Sequence, residues 1–445
     1  MRLGGIPARD LGPLTIAAVV AAFAALWLGD RPAGEAWGTH VGQLLGVESV
    51  VLLSLAIVLI STLPWIEGWF DGIDRTAIWH RRIAILGLAL LLPHLLLAHG
   101  DSEGGPGGPL AVVGLLGLLG LAAWAVLPRW RTMVPRPLRG AVVALRDARV
   151  VRDVRRLFGG YERWRLLHRT TGIFVAAGFV HGLLDATGFD GAPALRWSYV
   201  AAGGIGVAFY VYREVLAQFF LSLHDFQVQG VRVIEDGLVE VALTPLGRPL
   251  DFRPGQFAMV FLEARDGWHR HPFTIASAPH EGVVRVTVKA LGDYTSTFHE
   301  QLEPGMPAVI GGPHGRFDRR KGTERQVWVG AGVGIAPFLS WLRSLEAEGL
   351  DEEVDLFYTN AGEAPFAAEV REIAAAHHGL RAHVVDTERR GRLTAEEVLA
   401  TVDAAPERLS VFLCGPEPMV RTFQAAFRRA GVPRTAIHRE YFDWR

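Results

Sequence analysis

The sequence has a single cysteine, Cys414, and its charges nearly cancel, with 45 lysines and arginines against 46 aspartates and glutamates. One cysteine excludes an intrachain disulfide framework and a cysteine-ligated metal cluster. The balanced charge gives no reason to expect a nucleic-acid partner. Internal repeats are absent too, and no cleavable signal peptide is expected, because the first apolar run lacks a cleavage site and further apolar runs follow it.

Hydrophobic residues, in contrast, make up 50% of the 445 positions and concentrate in the first half of the chain. Six stretches are long and apolar enough to cross a bilayer, which needs about 20 such residues. They cover residues 11–28, 41–63, 78–97, 109–127, 166–184 and 197–212. Buried helices of a large soluble protein are the alternative. We expect instead a six-helix transmembrane domain over residues 1–220, in contact with a lipid bilayer.

The loop charges predict an orientation for these spans. Residues 128–165 are crowded with arginine, whereas the loops at 100–109 and 185–196 are short, glycine-rich and mostly acidic. Positively charged loops stay on the cytosolic side, so both termini are predicted to be cytosolic in a multi-pass protein of the cell membrane. The same arginines could also contact anionic lipid headgroups.

Five histidines lie in or at the edges of the third and fifth apolar stretches, where ionisable residues are costly and usually functional. His80 and His94 are fourteen residues apart, which is about 21 Å and nearly four whole turns of one helix, so both lie on one face. His168 and His181 are thirteen apart and run in the same direction. His99 lies near the outer surface and is a candidate residue of the acceptor site.

Two such helices side by side offer the pairs His80 with His168 and His94 with His181. Each pair could hold a haem iron axially, because neutral imidazole ligates iron well. A single membrane histidine is more often a packing residue, but four at matched depths favour two stacked haems. Thirteen residues rotate a side chain about 140° on a straight helix, so the fifth span must kink or bulge, for which Gly172 and Gly178 offer places.

The pattern changes after the last apolar stretch. Short alternating segments broken by glycine, proline and aspartate predict an antiparallel β-barrel over residues 221–320. Apolar strands that alternate with amphipathic helices predict an α/β nucleotide-binding domain over residues 321–445. The expected fold is therefore a multi-domain membrane protein with two soluble domains after its helical part.

The barrel contains "HPFTIAS", which offers an apolar wall, a hydroxyl and donors suited to a flavin. These groups come from His271, Pro272, Phe273 and Thr274. A second segment, "VKALGDYTSTF", offers a glycine turn with donors that could cradle phosphates. Its candidate residues are Lys289, Gly292 and Thr295. Taken alone, each segment could be ordinary barrel sequence.

The α/β domain begins with "VWVGAGVGIAPFLSWLR", a strand, a glycine-rich turn and a helix. Its glycines let backbone N–H groups approach a pyrophosphate, and Pro337 suits the first turn of the helix. The glycines concerned are Gly330, Gly332 and Gly334. Late in the chain, Cys414, Gly415 and Pro416 end a strand where the nicotinamide would lie, although Cys414 could also be a small buried residue.

Taken together, the paired histidines, "HPFTIAS", "GAGVGIAPF", "CGPEPM" and the terminal "EYFDWR" resemble the NADPH oxidase and ferric reductase superfamily. The resemblance covers nearly the whole chain and implies a haem domain fused to a ferredoxin-reductase-like dehydrogenase. It implies that His271, Phe273 and Thr274 contact FAD, and that Gly332, Gly334 and Cys414 line the nicotinamide site.

The family usually ends in an aromatic residue that covers the flavin and must move for hydride transfer. Trp444 is favoured for this role here, with Phe442 as the alternative. No "DxDxDG" calcium loop is present, and the chain resembles the compact bacterial members most.

The predicted function is electron transfer from cytosolic NADPH or NADH, through FAD and two b-type haems, to an acceptor at the outer face. Dioxygen is the first choice of acceptor, a ferric chelate the second, and a partner enzyme outside the membrane the third. No obligate protein partner is evident. A structural or transport protein with a degenerate reductase tail is the rival from another class.

The preference between NADPH and NADH stays open at this stage. Arg389, Arg390, Arg392 and Arg381 could meet a 2′-phosphate, or could belong to a solvated turn. No acidic residue marks the end of the second strand, "FYTN", which leans slightly towards NADPH.

Overall fold

The computed structural model describes residues 2–3, 6–61, 63–98, 105–126, 161–216, 223–235, 237–264, 267–289 and 302–440. The chain forms two compact units, Met1–Phe220 and Leu221–Arg445. Predicted features outside the described residues are His99, Gly292, Thr295, Phe442, Trp444 and most of the arginine-rich segment.

The first unit is helical, and a helix lies at each of the six predicted positions. Its helices are α1 (Ala8–Gly29), α2 (Trp37–Leu59), α3 (Pro64–Phe70), α4 (Ile73–Leu97), α5 (Gly108–Val126), α6 (Tyr161–His168), α7 (Thr171–Asp185) and α8 (Pro193–Val211). A two-residue strand pair, Arg2–Leu3 with Ile6–Pro7, precedes them, and a π-helical turn, Tyr212–Leu216, ends the unit.

Three of the described helical segments are long and apolar enough to cross a membrane, namely Asp10–Gly29, Trp37–Leu59 and Arg75–Leu97. Gly108–Trp124 is a shorter apolar segment. Large hydrophobic side chains are exposed on these helices, among them Leu86, Leu92 and Leu96 on α4. Contiguous exposed apolar surface of this kind marks a membrane or protein contact.

The predicted fifth span is two helices rather than one. The helical run breaks at residues 169–170, between α6 and α7. Here the hydroxyl of Thr170 donates to the carbonyl of Leu167, and the hydroxyl of Thr171 donates to the carbonyl of His168. Side-chain hydroxyls of this kind compete with the helical ladder. The fifth apolar stretch is therefore interrupted, and the interruption lies before Gly172 and Gly178 rather than at them.

The second unit begins with a six-stranded antiparallel sheet. Its strands are β1 (Leu223–Glu235), β2 (Leu238–Pro245), β3 (Phe257–Ala264), β4 (Gly267–Thr274), β5 (Val284–Lys289) and β6 (Pro307–His314), in the order β4-β3-β6-β1-β2-β5. A bridge between Ile275 and Val286 joins the two edges, so the sheet curls on itself. Alternate side chains, such as Val239, Val241 and Leu243, are buried inside it.

The rest of the unit is a five-stranded parallel sheet with helices. Its elements are β7 (Arg325–Ala331), α9 (Ala336–Glu348), β8 (Glu353–Asn360), α10 (Ala367–Ala376), β9 (Leu380–Asp386), α11 (Thr387–Arg390), α12 (Ala395–Thr401), β10 (Ser410–Cys414), α13 (Glu417–Arg429) and β11 (Ile437–Glu440). The strands lie in the order β9-β8-β7-β10-β11. The chain adds strands outward from β7 to β9 on one side and then crosses over to β10 and β11 on the other, so the switch point lies between β7 and β10. Ligands bind at such a switch point, outside the carboxyl ends of the strands.

Arg343 on α9 ties the curled sheet to the parallel sheet. Its guanidinium lies 2.9 Å from Glu240 on β2 and 2.6 Å from Glu369 on α10, and it also donates to the carbonyl of Ala276. Glu240 is only 2% exposed, so this ion pair is buried. The arrangement of the two sheets is therefore fixed by a charged contact as well as by apolar packing.

Candidate functional site

The predicted inner histidine pair is brought together by α4 and α6. The ring centres of His80 and His168 lie 6.3 Å apart with an interplanar angle of 82°. His80 Nδ1 lies 2.8 Å from the carbonyl oxygen of Ala56, and His168 Nδ1 lies 3.4 Å from the hydroxyl of Thr171. An N–H donated at Nδ1 sets the tautomer in which Nε2 carries the lone pair.

The predicted outer pair has the same form. The ring centres of His94 and His181 lie 6.4 Å apart with an interplanar angle of 64°. His94 Nδ1 lies 2.9 Å from the carbonyl oxygen of Gly42, and His181 Nδ1 lies 3.1 Å from Asp185 Oδ2. All four histidines are thus held through Nδ1 by an oxygen atom, the arrangement that orients a metal-ligating imidazole.

The separation of the rings fits one metal ion between each pair. An imidazole nitrogen binds a first-row metal at about 2.0–2.1 Å and lies about 1.1 Å from its ring centre, so two imidazoles that share one ion would have ring centres about 6.3 Å apart. Within the described ranges, no group of three or more His, Cys, Asp or Glu side chains could hold a metal ion. Two protein ligands suit a haem, because the porphyrin supplies the other four, whereas structural zinc needs four from the protein.

A cavity of about 210 Å³ is lined by His94 and His181. Most of its other lining is apolar, including Val50, Leu118 and Val175. Its polar contributors are few and are Gln43, Ser49, Asp185, Thr187 and Tyr199. An apolar cavity with a few placed polar groups is typical of a cofactor site.

In the curled sheet, the four predicted flavin residues lie together at the end of edge strand β4. The rings of His271 and Phe273 are 6.1 Å apart, and Pro272 pairs with Met259 on β3. The hydroxyl of Thr274 is buried and has no hydrogen-bond partner among the described residues. A buried hydroxyl in this state fits a hydrogen bond to a ligand. Lys289 is exposed at the end of β5.

The parallel sheet brings the glycine turn and the "CGP" segment together at its switch point. Gly330 on β7 pairs in register with Cys414 on β10. A Cβ atom on Gly334 would overlap the carbonyl group of Cys414, so only glycine fits there. Gly332 has a φ of 55° and Gly415 a φ of 154°, which L side chains rarely adopt.

The turn leads into α9, where Pro337 lies in the first turn as expected. Pro416 is the N-cap residue of α13. The backbone N–H groups at the start of α9 therefore lie beside the crevice between β7 and β10, where they can meet a pyrophosphate.

Cys414 is fully buried. Burial, together with the nearby carboxylate of Glu440, raises the pKa of its thiol well above the usual value. Burial thus favours the neutral thiol over the thiolate.

The four arginines considered for a 2′-phosphate lie in two places. Arg389 pairs with Asp386, and Arg390 pairs with Glu397, all near the carboxyl end of β9. Arg392 is exposed nearby. Arg381 does not belong with them, because it binds the buried Asp355 towards the amino end of the sheet. Arg381 thus lies away from the carboxyl ends of the strands, where a dinucleotide would bind.

Sequence reasoning missed the groups that hold the predicted residues in place. Asp185 lies four residues after His181, a spacing that puts both on one helix face, and this signal was available. The carbonyl groups of Ala56 and Gly42 leave no trace in a sequence. Nor does Ser340, whose hydroxyl donates to the carbonyl of Ser277 and helps to fix α9 against the curled sheet.

Comparison with known families matches two domain models to adjacent parts of the chain. Residues 208–327 match an FAD-binding domain, and residues 328–425 match an oxidoreductase NAD-binding domain. Residues 208–425 therefore carry an FAD-binding domain followed by an oxidoreductase NAD-binding domain. In these domains the chain resembles the NADPH oxidases, which confirms the resemblance found in the sequence.

Similar curated proteins support this. The chain is 31% identical to NADPH oxidase 1 of Mus musculus over 163 residues, 35% of this chain and 26% of the mouse protein. It is also 31% identical over 198 residues to the ferredoxin reductase component of 3-ketosteroid-9-alpha-monooxygenase from Rhodococcus rhodochrous, 43% of this chain and 56% of that protein. The matches therefore span about a quarter to a half of these relatives.

Among solved structures, flavohaemoglobin from Malassezia yamatoensis with bound FAD and haem matches with a TM-score of 0.50. The identity is 16%, and the alignment covers 98% of each chain. Similarity at this level concerns the fold only.

Proposed function

We propose that this oxidoreductase carries electrons across a membrane, from NAD(P)H through FAD and two b-type haems to dioxygen at the outer face. The observation that carries the proposal is that four histidines form two close pairs. His80 with His168 and His94 with His181 lie at ring separations of 6.3 and 6.4 Å on neighbouring helices. One such pair could arise from packing alone, but two pairs with Nδ1 anchored in each ring favour ligation.

The proposal divides the residues between four bound groups. His80 and His168 would hold the inner haem, and His94 and His181 the outer haem. Thr274 and its neighbours on β4 would bind FAD, and the crevice beside Gly334 would bind the dinucleotide. The flavin, when bound, accepts a hydride and passes on single electrons, and the haems carry those electrons one at a time.

The chain itself contributes placement and exclusion of water. The start of α9 and the turn before it would position the pyrophosphate, beside the fully buried Cys414. The six helices, with both termini cytosolic, would set the haem pairs at two depths of the bilayer. Fourteen residues separate the two ligands of α4, which is about 21 Å along its axis.

The cavity between His94 and His181 would hold the outer haem. Dioxygen is the first candidate for the acceptor that takes the electron from it. A ferric chelate, or an enzyme outside the membrane, is the alternative that the test separates from dioxygen.

The test is an anaerobic optical titration of the purified protein with NADPH, followed by air. We expect reduced b-type haem bands to appear with NADPH and to disappear in air, with superoxide formed. Flavin reduction without haem bands, in protein shown to contain two haems by pyridine extraction, would overturn the proposed relay. Haem bands that persist in air but are lost with ferric citrate would show that the acceptor is a ferric chelate rather than dioxygen.

A further inference from the structure

Asp185 ends helix α7 one turn after His181 and has two partners. Its Oδ2 atom lies 3.1 Å from His181 Nδ1, and its Oδ1 atom accepts a 3.0 Å hydrogen bond from the backbone N–H of Gly107. The side chain is only 5% exposed. A buried carboxylate therefore connects the outer histidine pair to the segment that leads into α5.

The other three histidines have neutral partners at Nδ1. Backbone carbonyl oxygens occupy this place for His80 and His94, and a hydroxyl for His168. A carboxylate is a stronger acceptor than any of these, because hydrogen bonds to an ionised acceptor are roughly twice as strong as neutral ones. It draws the Nδ1 proton away from the ring and makes Nε2 a more basic ligand.

We propose that Asp185 is a positioning residue that fixes the orientation of His181 and lowers the reduction potential of the outer haem. This inference rests on the proposed function, because it requires a haem between His94 and His181. A more basic ligand, with a negative charge close behind it, stabilises the oxidised iron more than the reduced iron. The potential of the outer haem is thereby set separately from that of the inner haem.

The segment before α5 keeps the carboxylate in place. A Cβ atom on Gly105 would come within 2.8 Å of Asp185 Oδ1, and one on Gly107 within 2.6 Å of Asp185 Oδ2. Real Cβ atoms do not approach so closely, so any side chain at these positions would displace the carboxylate. The small residues let the backbone cover Asp185 and shield its contact with His181 from water, which strengthens it.

The experiment is a potentiometric titration of both haems in the full-length, haem-loaded protein, with optical and electron paramagnetic resonance detection. Asp185→Asn keeps the size of the side chain and removes its charge. We expect one midpoint to rise by about 59 mV, a tenfold change for a one-electron couple, while the other stays in place. The midpoint that moves should be the one lost in His181→Ala.

Gly107→Ala approaches the same carboxylate from the other side and should raise the same midpoint. Asp185→Glu keeps the negative charge, so its outer midpoint should lie closer to that of the parent than the midpoint of Asp185→Asn does. Asp190→Asn is the matched control, since Asp190 is an exposed aspartate in the same outer segment. It should leave both midpoints unchanged.

The outcomes separate this inference from the function on which it rests. Protein that binds no haem would overturn both together. Protein with two haems, in which Asp185→Asn moves neither midpoint or moves both equally, would overturn the role of Asp185 alone. Should Asp185→Asn lose haem, the Gly107→Ala titration decides, with an unmoved outer midpoint counting against the proposal.

Discussion

Gly46 on α2 lies directly against the ring of His94 on α4. A Cβ atom on Gly46 would come within 2.6 Å of His94 Nδ1 and 2.7 Å of His94 Cε1. The ring can therefore keep its hydrogen bond to Gly42 only because residue 46 has no side chain. Helices in membranes often approach closely at small residues, and Gly46 is the small residue that makes room for the His94 ring.

Gly46→Ala should displace the His94 ring and remove the outer haem. Pyridine extraction should then give about one haem per chain in place of two, with the flavin content unchanged. The control is Gly204→Ala on α8, where an added Cβ meets nothing within 4 Å. Two haems in the Gly46→Ala variant would contradict the requirement for glycine at this position.

His168→Ala should remove the inner haem and break the relay at its first step. NADPH added without air should then reduce the flavin but leave the remaining haem oxidised, as stopped-flow spectra would show. His280→Ala serves as control, because His280 is an exposed histidine of the second unit. Rapid reduction of the remaining haem in His168→Ala would contradict the proposed order of transfer.

Gly334→Ala should block the dinucleotide crevice, because its Cβ would overlap the carbonyl group of Cys414. We expect KM for NADPH to rise at least tenfold, about 1.4 kcal/mol, with FAD retained. Gly247→Ala, in an open turn of the same unit, should leave KM unchanged. Steady-state kinetics with an artificial acceptor measure both, and an unchanged KM for Gly334→Ala would place the dinucleotide elsewhere.

Asp355→Asn should weaken the parallel sheet by about 3 kcal/mol, the cost of leaving buried charges without their partner. Asp355 is 1% exposed and receives hydrogen bonds from Arg325, Arg381 and His383. Hydrogen exchange of the β8 amides measures the local opening. Asp351→Asn, an exposed substitution nearby, should have no effect.

The lowered pKa of Asp355 predicts that the stability of the parallel sheet depends on pH. Burial alone raises the pKa of Asp355, but the hydrogen bonds from His383, Arg381 and Arg325 outweigh it and hold the pKa well below its usual range. Its stabilisation is therefore present above the unfolded-state pKa of about 3.9 and is lost as the pH falls towards the lower folded-state value. Protection of β8 should fall below about pH 4 in the parent and change less in Asp355→Asn.

The elements that depend on periodicity were predictable from the sequence. Apolar runs gave the helices, alternation gave the curled sheet, and the glycine turn gave the start of α9. The pairing of His80 with His168 was also predictable, because a rise of 1.5 Å per residue places histidines fourteen and thirteen residues apart at matched depths on two neighbouring helices.

What could not be predicted depends on contacts between distant parts of the chain. The break at residues 169–170 arises from hydroxyl groups that compete with carbonyl groups, and many threonines in helices do not break them. The partners of Arg381 and Arg343 lie on other strands and helices, so charge alone could not assign them. Which glycines serve packing, such as Gly46, is likewise visible only when the neighbouring helix is in place.

The interruption between α6 and α7 also has a mechanical consequence. A continuous helix acts as a rigid rod, so a rotation at His168 would be transmitted to His181 at the other end. The gap in the hydrogen-bond ladder removes this linkage, so that α6, which packs against α5, and α7, which packs against α5, α2 and α8, can adjust separately. The two ends of the fifth apolar stretch can thus tolerate change one at a time.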